Sequence, residues 1–321
     1  MTTRRQILST LMMGAALAAP FAHAQTYPDR PIKVVVPFPA GGSVDAAMRL
    51  LQPRLQKALG ATFVIDNVGG VGGALGAAKV ATAAADGYTL LAGTNNDIVL
   101  APVLNPNVRY TAQDFTPIGA IATNSSLLVA RKDLPQSTLD EVIQQLRTKP
   151  ESITYGSPGV GTFQHLTMED LQQRAQVRMV HVPYKGAGPI ANDVIGGQLD
   201  VAILVPSTAL PHLRAGRLKA IGLAQLQRDP LLKDVPTLNE GKLVSGIEAR
   251  GWIGLFAPKG VAPERLDHVR RALEETLADK TLAASLGDLG FTVVAAAERS
   301  GFAGRIAADE AKARSIRARM Q

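Results

Sequence analysis

Short runs of β-branched and aliphatic residues alternate along this chain with segments whose apolar positions recur at helical spacing. That alternation reads as strands interleaved with amphipathic helices. Ile32-Lys33-Val34-Val35-Val36 is a strand ended by Pro37, and the segment Ser43 to Leu59 carries Ala47, Leu51, Leu55 and Leu59 on one stripe. A strand at Thr62 to Ile65, an alanine-rich helix from Ala74 to Ala85 and a strand at Tyr88 to Ala92 follow. Strand, helix, strand, helix, strand predicts a parallel sheet with right-handed crossovers.

A second series opens with Ser126-Leu127-Leu128-Val129-Ala130. Thr138 and Glu141 have capping-box spacing, and Leu139, Val142, Ile143 and Leu146 supply the apolar face behind them. Short strands are expected at Ile153 to Tyr155, Met179 to Val182, Val201 to Leu204 and Leu218 to Leu223, with helices near 162–174, 189–197 and 207–215 between them. The last part holds a strand at Trp252 to Phe256, a helix from Pro263 to Leu277, a strand at Phe291 to Val294 and a terminal helix. No Pro- or Ser-rich linker divides the series, so the chain is expected to cross between domains as strands, near 122–126 and 222–228. The reading is an α/β protein of two domains: 25–124 plus 226–321 as one, 125–225 as the other.

The N-terminus alters the picture. Arg4 and Arg5 precede an apolar stretch from Ile7 to Ala19, and Ala22-His23-Ala24 is a small-x-small cleavage signal. The stretch falls short of the roughly 20 residues that span a bilayer, so residues 1–24 read as a signal peptide cut after Ala24. Thr3 to Leu8 also resembles a twin-arginine signal. The expected compartment is the periplasm, and the absence of Cys at the cleavage site argues against a lipid anchor. Losing Arg4 and Arg5 with that segment, which has no acid, lowers the formal net charge from +7 to +5. Aromatics make up only 4% and the basic residues are scattered, which disfavours a nucleic-acid partner. The chain has no Cys, which excludes disulfides, thiolate nucleophiles and Cys-ligated zinc. No His-Glu-x-x-His pair is present, and neither metal nor cofactor is expected.

Two loops then stand out. Phe38-Pro39-Ala40-Gly41-Gly42-Ser43-Val44-Asp45 and Ser157-Pro158-Gly159-Val160-Gly161-Thr162 each join a strand to a helix. Glycines let the backbone approach a ligand. Ser43 and Thr162 are placed to cap the helices, whose free first-turn N–H groups carry positive partial charge. Each loop is an anion site built without a cationic side chain. Two of them in different domains can close on one anion from opposite sides, beyond the carboxyl ends of the strands. Asp45 reads either as a helix-dipole partner or as a contact for a ligand ammonium or hydroxyl. His165 reads as a site or packing residue, Asn95 and Asn96 as ligand or turn residues, and Trp252 as core or cleft wall. The cluster Gly69-Gly70-Val71-Gly72-Gly73-Ala74-Leu75 has Leu75 where the dinucleotide fingerprint needs glycine, and reads as a tight turn. Neither Ser43 nor Ser157 has the glycine frame of a nucleophile elbow. A hydrolase using Ser157 with His165 or His181 is the remote alternative.

These residues resemble the Bug family of extracytoplasmic solute receptors, the TctC-like substrate-binding components of tripartite tricarboxylate transporters. The resemblance runs in order through Tyr27-Pro28-x-Arg30-Pro31-Ile32, Pro39-x-Gly41-Gly42-x-x-Asp45-x-x-x-Arg49 and Asp86-Gly87-Tyr88-Thr89-Leu90-Leu91. It continues through Tyr155-Gly156-Ser157-x-Gly159-x-Gly161-Thr162-x-x-His165-Leu166 and His181-Val182-Pro183-Tyr184-Lys185-Gly186, and ends with Ser207-x-Ala209-Leu210-Pro211-His212 and Gly254-Leu255-Phe256-Ala257-Pro258. It implies a two-domain Venus-flytrap fold of the periplasmic-binding-protein type (type II), with a carboxylate held in the cleft by the two glycine loops. The implied partners are transporter subunits in the membrane, and the receptor is expected to be a monomer and not an enzyme. A sensor presenting its ligand to a signalling kinase is the alternative. The resemblance implies a ligand among amino acids, di- and tricarboxylates, aromatic carboxylates and nicotinate-like compounds. The chain departs from the family at Asn95-Asn96-Asp97, and at Leu204-Val205-Pro206, where many members carry an acidic or amide residue near the cleft. These positions, Val205 among them, are expected to shape the distal part of the pocket.

Overall fold

The computed structural model describes residues 27–184, 187–229 and 232–320. The expected signal peptide lies outside them. Two sheets form, each with its own core. The first contains β1 (Ile32–Val36), β2 (Phe63–Asn67), β3 (Thr89–Thr94) and β4 (Phe115–Ser125). The chain then builds the second from β5 (Leu127–Arg131), β6 (Thr154–Ser157), β7 (Val180–Pro183), β8 (Val201–Leu204) and β9 (Leu218–Leu223). It returns to the first with β10 (Arg250–Pro258) and β11 (Thr292–Val293). The sheet orders are β11-β4-β10-β3-β1-β2 and β7-β6-β8-β5-β9.

The expected parallel pairing holds for β1 with β2 and β3, and for β6 with β7 and β8. Both sheets are nevertheless mixed. β10 runs antiparallel to β3 and β4, and β5 antiparallel to β8 and β9. The strands that enter from the other lobe run against those connected by local helical crossovers.

Alternation along β1 explains the layering, since successive strand residues face opposite sides of a sheet. Val34 and Val36 pack beneath the helix Ser43–Leu59 with its buried Met48, Leu51 and Leu55, while Val35 joins Leu91, Phe256 and Phe302 on the other face. The second sheet is covered by the helices Leu139–Thr148 and Phe163–Ala175 on one face and Ala187–Ile195 and Pro206–Arg214 on the other, with Tyr155, Met168 and Ile203 in one core and Ile190, Val194 and Leu204 in the other.

The first crossing falls where the sequence places it, with Ser126 alone between β4 and β5. The return is later than the expected 222–228. Ala224, Leu238, Val244, Ile247 and Ala249 are buried in the second core, and Leu223 N–H and Leu238 N–H exchange bonds with the Pro236 and Leu223 carbonyls at 2.8 Å. This irregular segment adds a bridge beside β9 before the chain leaves at Arg250. At the junction Ser126 N–H donates to Ala249 O (3.2 Å), Ala249 N–H to Ala224 O (2.8 Å), and Ala224 N–H to Ser126 O (2.8 Å). The passages between the lobes are thereby tied to one another.

Candidate functional site

Where the lobes meet, they enclose a cavity of about 380 Å³. The first lobe contributes Phe38 to Val44, Thr94, Asn95, Asn96, Asn124, Gly251, Trp252, Ile253 and Phe291. The second contributes Pro158, Phe163, Gln164, Gly188, Pro189 and Val205. No charged side chain lines it among the described residues.

The two glycine loops share a backbone plan. In the first, Gly41 adopts φ +78°, Gly42 is the N-cap, and Ser43 is the first helical residue. In the second, Gly161 adopts φ +78°, Thr162 is the N-cap, and Phe163 begins the helix. A positive φ at this position favours glycine. The N-cap amides of Gly42 and Thr162 donate to Pro39 O (3.2 Å) and Gly159 O (3.3 Å). The glycine N–H before each cap is taken by the side chain four residues on: Gly41 by Asp45 Oδ2 at 2.9 Å, Gly161 by His165 Nδ1 at 3.2 Å.

The caps differ from the sequence reading on one side. Thr162 Oγ1 accepts from His165 N–H at 3.4 Å as expected, but Ser43 sits inside the helix, and the Gly42 cap brings no side-chain acceptor. The Ser43 and Val44 amides therefore have no intrahelical acceptor, which is the general state of a first turn. In the second loop the Phe163 amide donates across the lobes to Asn96 Oδ1 at 2.8 Å. The Gln164 amide is the first-turn donor left over, and Gln164 lines the cavity. Two helix starts, one per lobe, thus bring first-turn residues whose N–H groups have no intrahelical acceptor to the lining of a common space.

Of the candidate residues, Phe38, Pro39, Ala40, Gly41, Gly42, Ser43, Asn95, Asn96 and Val205 line this space. Asp45, Ser157, Gly159, Val160, Gly161, Thr162 and His165 do not. Asp45 is buried and turned inward. Its oxygens take Gly41 N–H, Arg49 Nε (2.8 Å) and Asn67 Nδ2 (3.0 Å). Burial alone raises a carboxyl pKa, but the bonds from Arg49, Gly41 and Asn67 hold Asp45 below the ordinary range. Val160 points to solvent, 71% exposed.

His165 is buried with its ring stacked on His181 at 4.3 Å, and His181 stacks in turn on Tyr155 at 4.6 Å. Because His165 Nδ1 accepts a bond, its proton belongs on Nε2, which faces Glu169 Oε1 at 3.7 Å. Burial lowers the His165 pKa against the pull of Glu169. Burial and then His165 lower His181 to about 4. Ser157 Oγ lies 2.7 Å from His181 Nε2, yet Ser157 is fully buried and outside the cavity lining. That pair braces the loop.

The residues the sequence reading passed over follow from the same physics. Phe163 and Gln164 occupy the first two helical positions after the Thr162 cap, and it is these positions whose amides are free. Gly251, Ile253 and Phe291 arrive from distant segments. Trp252 is both core and wall: it packs against Phe256 and Phe302, and its Nε1 donates to Asp309 Oδ2 at 2.7 Å. Asp97, wholly buried below the asparagines, accepts from Thr94 N–H (2.9 Å) and Oγ1 (2.7 Å) and sets the turn that aims Asn95 and Asn96. Burial pushes its pKa up to about 8 while the Thr94 bonds pull it back.

Two α/β lobes joined by tied crossings, with a donor-lined cleft between them, define a two-domain solute-binding protein. Residues 47–318 match the family model described as the tripartite tricarboxylate transporter family receptor, TctC, and the chain belongs to that family. Protein BugT of Bordetella pertussis is 33% identical over 298 residues, covering 92% of this chain and 91% of the relative. MatC from Rhodopseudomonas palustris, solved with bound malate, superposes with a TM-score of 0.84 at 31% identity, covering 91% of this chain and all of that one. A second R. palustris protein, solved with adipate, gives 0.84 at 29% identity, over 90% of this chain and 97% of the other.

Proposed function

We propose that this chain is an exported periplasmic receptor that closes its two lobes on the carboxylate of a small organic acid and delivers it to the membrane subunits of a tripartite tricarboxylate-type transporter. The observation that carries this reading is the pair of matched helix starts, with free amides at Ser43 and Val44 on one side and Gln164 on the other, lining one cavity. Amides fixed by folding need no reorganisation to receive an anion, and the macrodipoles of the two helices add favourable potential. The malate and adipate bound to the two structural relatives are carboxylates and support the same chemistry. The receptor acts as a monomer and performs no reaction. Ser157, the one serine within hydrogen-bond reach of a histidine in the loop, is sealed from the cavity.

Titration calorimetry with a panel of organic acids, repeated on Gly42→Val, tests this. The expected result is binding by the native chain and binding about 100-fold or more weaker by the variant, because even the Cβ comes within 3.1 Å of Pro39 O and the branches cover the Ser43 amide. Undiminished affinity in the variant removes the loop from the site. Co-transcription with a sensor kinase in place of transporter subunits turns the delivery step into signalling.

A further inference from the structure

The lobes touch beside the cavity at several points, and one of these differs in kind. Phe163 N–H reaches Asn96 Oδ1 across the gap. A Cβ on Gly251 would fall 3.1 Å from Phe163 Cζ, and one on Gly161 would fall 3.6 Å from Leu104 Cδ1. Each of these contacts ends on a side chain with rotatable bonds. Gly290 of the first lobe instead meets Pro206 of the second. A Cβ there would fall 2.3 Å from Pro206 Cβ and 3.3 Å from Pro206 Cα, inside the 3.4 Å at which ordinary van der Waals contact begins. The bare backbone of Gly290 lies against the proline with no room for a methyl group.

Both sides of this contact are anchored. Gly290 follows the helix Lys280–Asp288 at φ +75°. Its N–H donates to Gly287 O at 2.8 Å, and Phe291 N–H donates to Leu286 O at 2.9 Å, with Phe291 buried in the first lobe's core. Pro206 opens the helix Pro206–Arg214 and is itself buried. Its ring fixes φ, and Thr208 N–H and Ala209 N–H hold Val205 O at 3.0 and 3.2 Å. An atom added between two fixed stretches of backbone is accommodated by moving one lobe against the other, by about 1 Å at this point. The contact also lies next to the ligand space. Phe291 follows Gly290, Val205 precedes Pro206, and the two line the cavity from opposite lobes.

We infer that Gly290 and Pro206 are the stop against which the lobes close, and that this stop sets how long a ligand the closed cavity accepts by fixing the approach of Phe291 to Val205. The inference rests on the receptor reading above.

The experiment compares the native chain with Gly290→Ala, Gly60→Ala and the double variant Gly290→Ala, Pro206→Gly. Gly60 ends a helix at φ +63° with no neighbour within 4 Å of a Cβ, so Gly60→Ala carries the same kind of backbone strain without the contact. Calorimetry with the linear diacids from malonate to suberate and the linear monoacids from propionate to octanoate gives the preferred length. Solution scattering with the best acid bound gives the degree of closure. Gly290→Ala is expected to bind the native chain's best acid about tenfold more weakly, to prefer a longer acid of the same series, and to keep a larger radius of gyration when loaded. Gly60→Ala is expected to lower the melting temperature to a similar extent and to bind as the native chain does. Pro206→Gly, which clears the space from the other side, is expected to restore the length preference and the closure in the double variant. An unchanged length preference in Gly290→Ala, a change that Pro206→Gly does not reverse, or binding of neither series overturns the inference, and the receptor reading stands while acid binding remains sensitive to Gly42→Val. Binding indifferent to Gly42→Val overturns both.

Discussion

The two glycine loops have one backbone plan and two different locks. Each puts a glycine at φ +78° before the helix cap, and each satisfies that glycine's N–H with the side chain four residues on. In the first lobe the lock is the Asp45 carboxylate, fixed by Arg49 and Asn67. In the second it is the His165 imidazole, stacked on His181 and through it on Tyr155. A carboxylate with a depressed pKa keeps its charge through the neutral and mildly acidic range. An imidazole accepts at Nδ1 only while that nitrogen is unprotonated. One geometry can therefore be held by a lock indifferent to pH near neutrality and by one that acid opens.

The largest effect that would separate the halves from a common role is steric. Gly42→Val is expected to weaken carboxylate binding by about 100-fold or more, roughly 2.8 kcal/mol. Gly161→Val is expected to do comparable harm through strain, since β-branched residues rarely adopt that φ. Equal and large losses in calorimetry make the clamp two-sided, whereas a loss confined to one variant makes it one-sided.

Next in size is the lock itself. His165→Ala leaves the half-buried Gly161 N–H without its acceptor, at a cost of about 1 kcal/mol. A lower melting temperature and weaker binding are expected, with His165→Asn recovering part of both by offering a neutral oxygen. If His165→Ala binds like the native chain, His165 does not position the loop.

Acid sharpens the contrast. His181 in the folded chain titrates at about 4 and His165 is also lowered, so between pH 6.5 and 4 the unfolded chain binds more protons than the folded one. Stability therefore falls as pH drops through that window. The contribution of Asp45, whose folded pKa is also lowered, is intact above about 3.8 and is lost only at still lower pH. Melting curves across this range are expected to decline in the native chain and to decline less in a His165→Asn, His181→Asn double variant. A flat native profile contradicts the assignment of neutral imidazoles.

The smallest effect concerns the bond between the lobes. Asn96→Ala frees the Phe163 amide, at a cost of about 1 kcal/mol to the closed arrangement. A larger radius of gyration in solution scattering without ligand is expected, and an unchanged profile argues that Leu166 and Phe163, packed in the first lobe's core, hold closure alone.

Much of this was legible before any coordinates. Gly-Gly-Ser and Gly-Val-Gly-Thr stand between a strand run and a helical stripe, and local chemistry decides such turns. The return crossing was not legible, because the sequence between 224 and 249 has neither period and the burial of Ala224, Leu238, Val244, Ile247 and Ala249 depends on packing against the second sheet. β4 escaped notice because Pro117 and Gly119 interrupt its alternation, and its pairing with β10 shifts register near those residues. The part of His165 depends on a ring stack with His181 from another strand, which spacing within one segment does not reveal. Asp45 and His165 were singled out for their chemistry, and the structure turns that chemistry on the loop and away from the cavity.

Amide chemical shifts of the nitrogen-labelled chain, followed while the tightest-binding organic acid of the calorimetric panel is added, test the two-sided grip most directly. The account predicts that the Ser43, Val44 and Gln164 amides shift together along one binding curve. Movement on one side only, or on two curves with different midpoints, would contradict it.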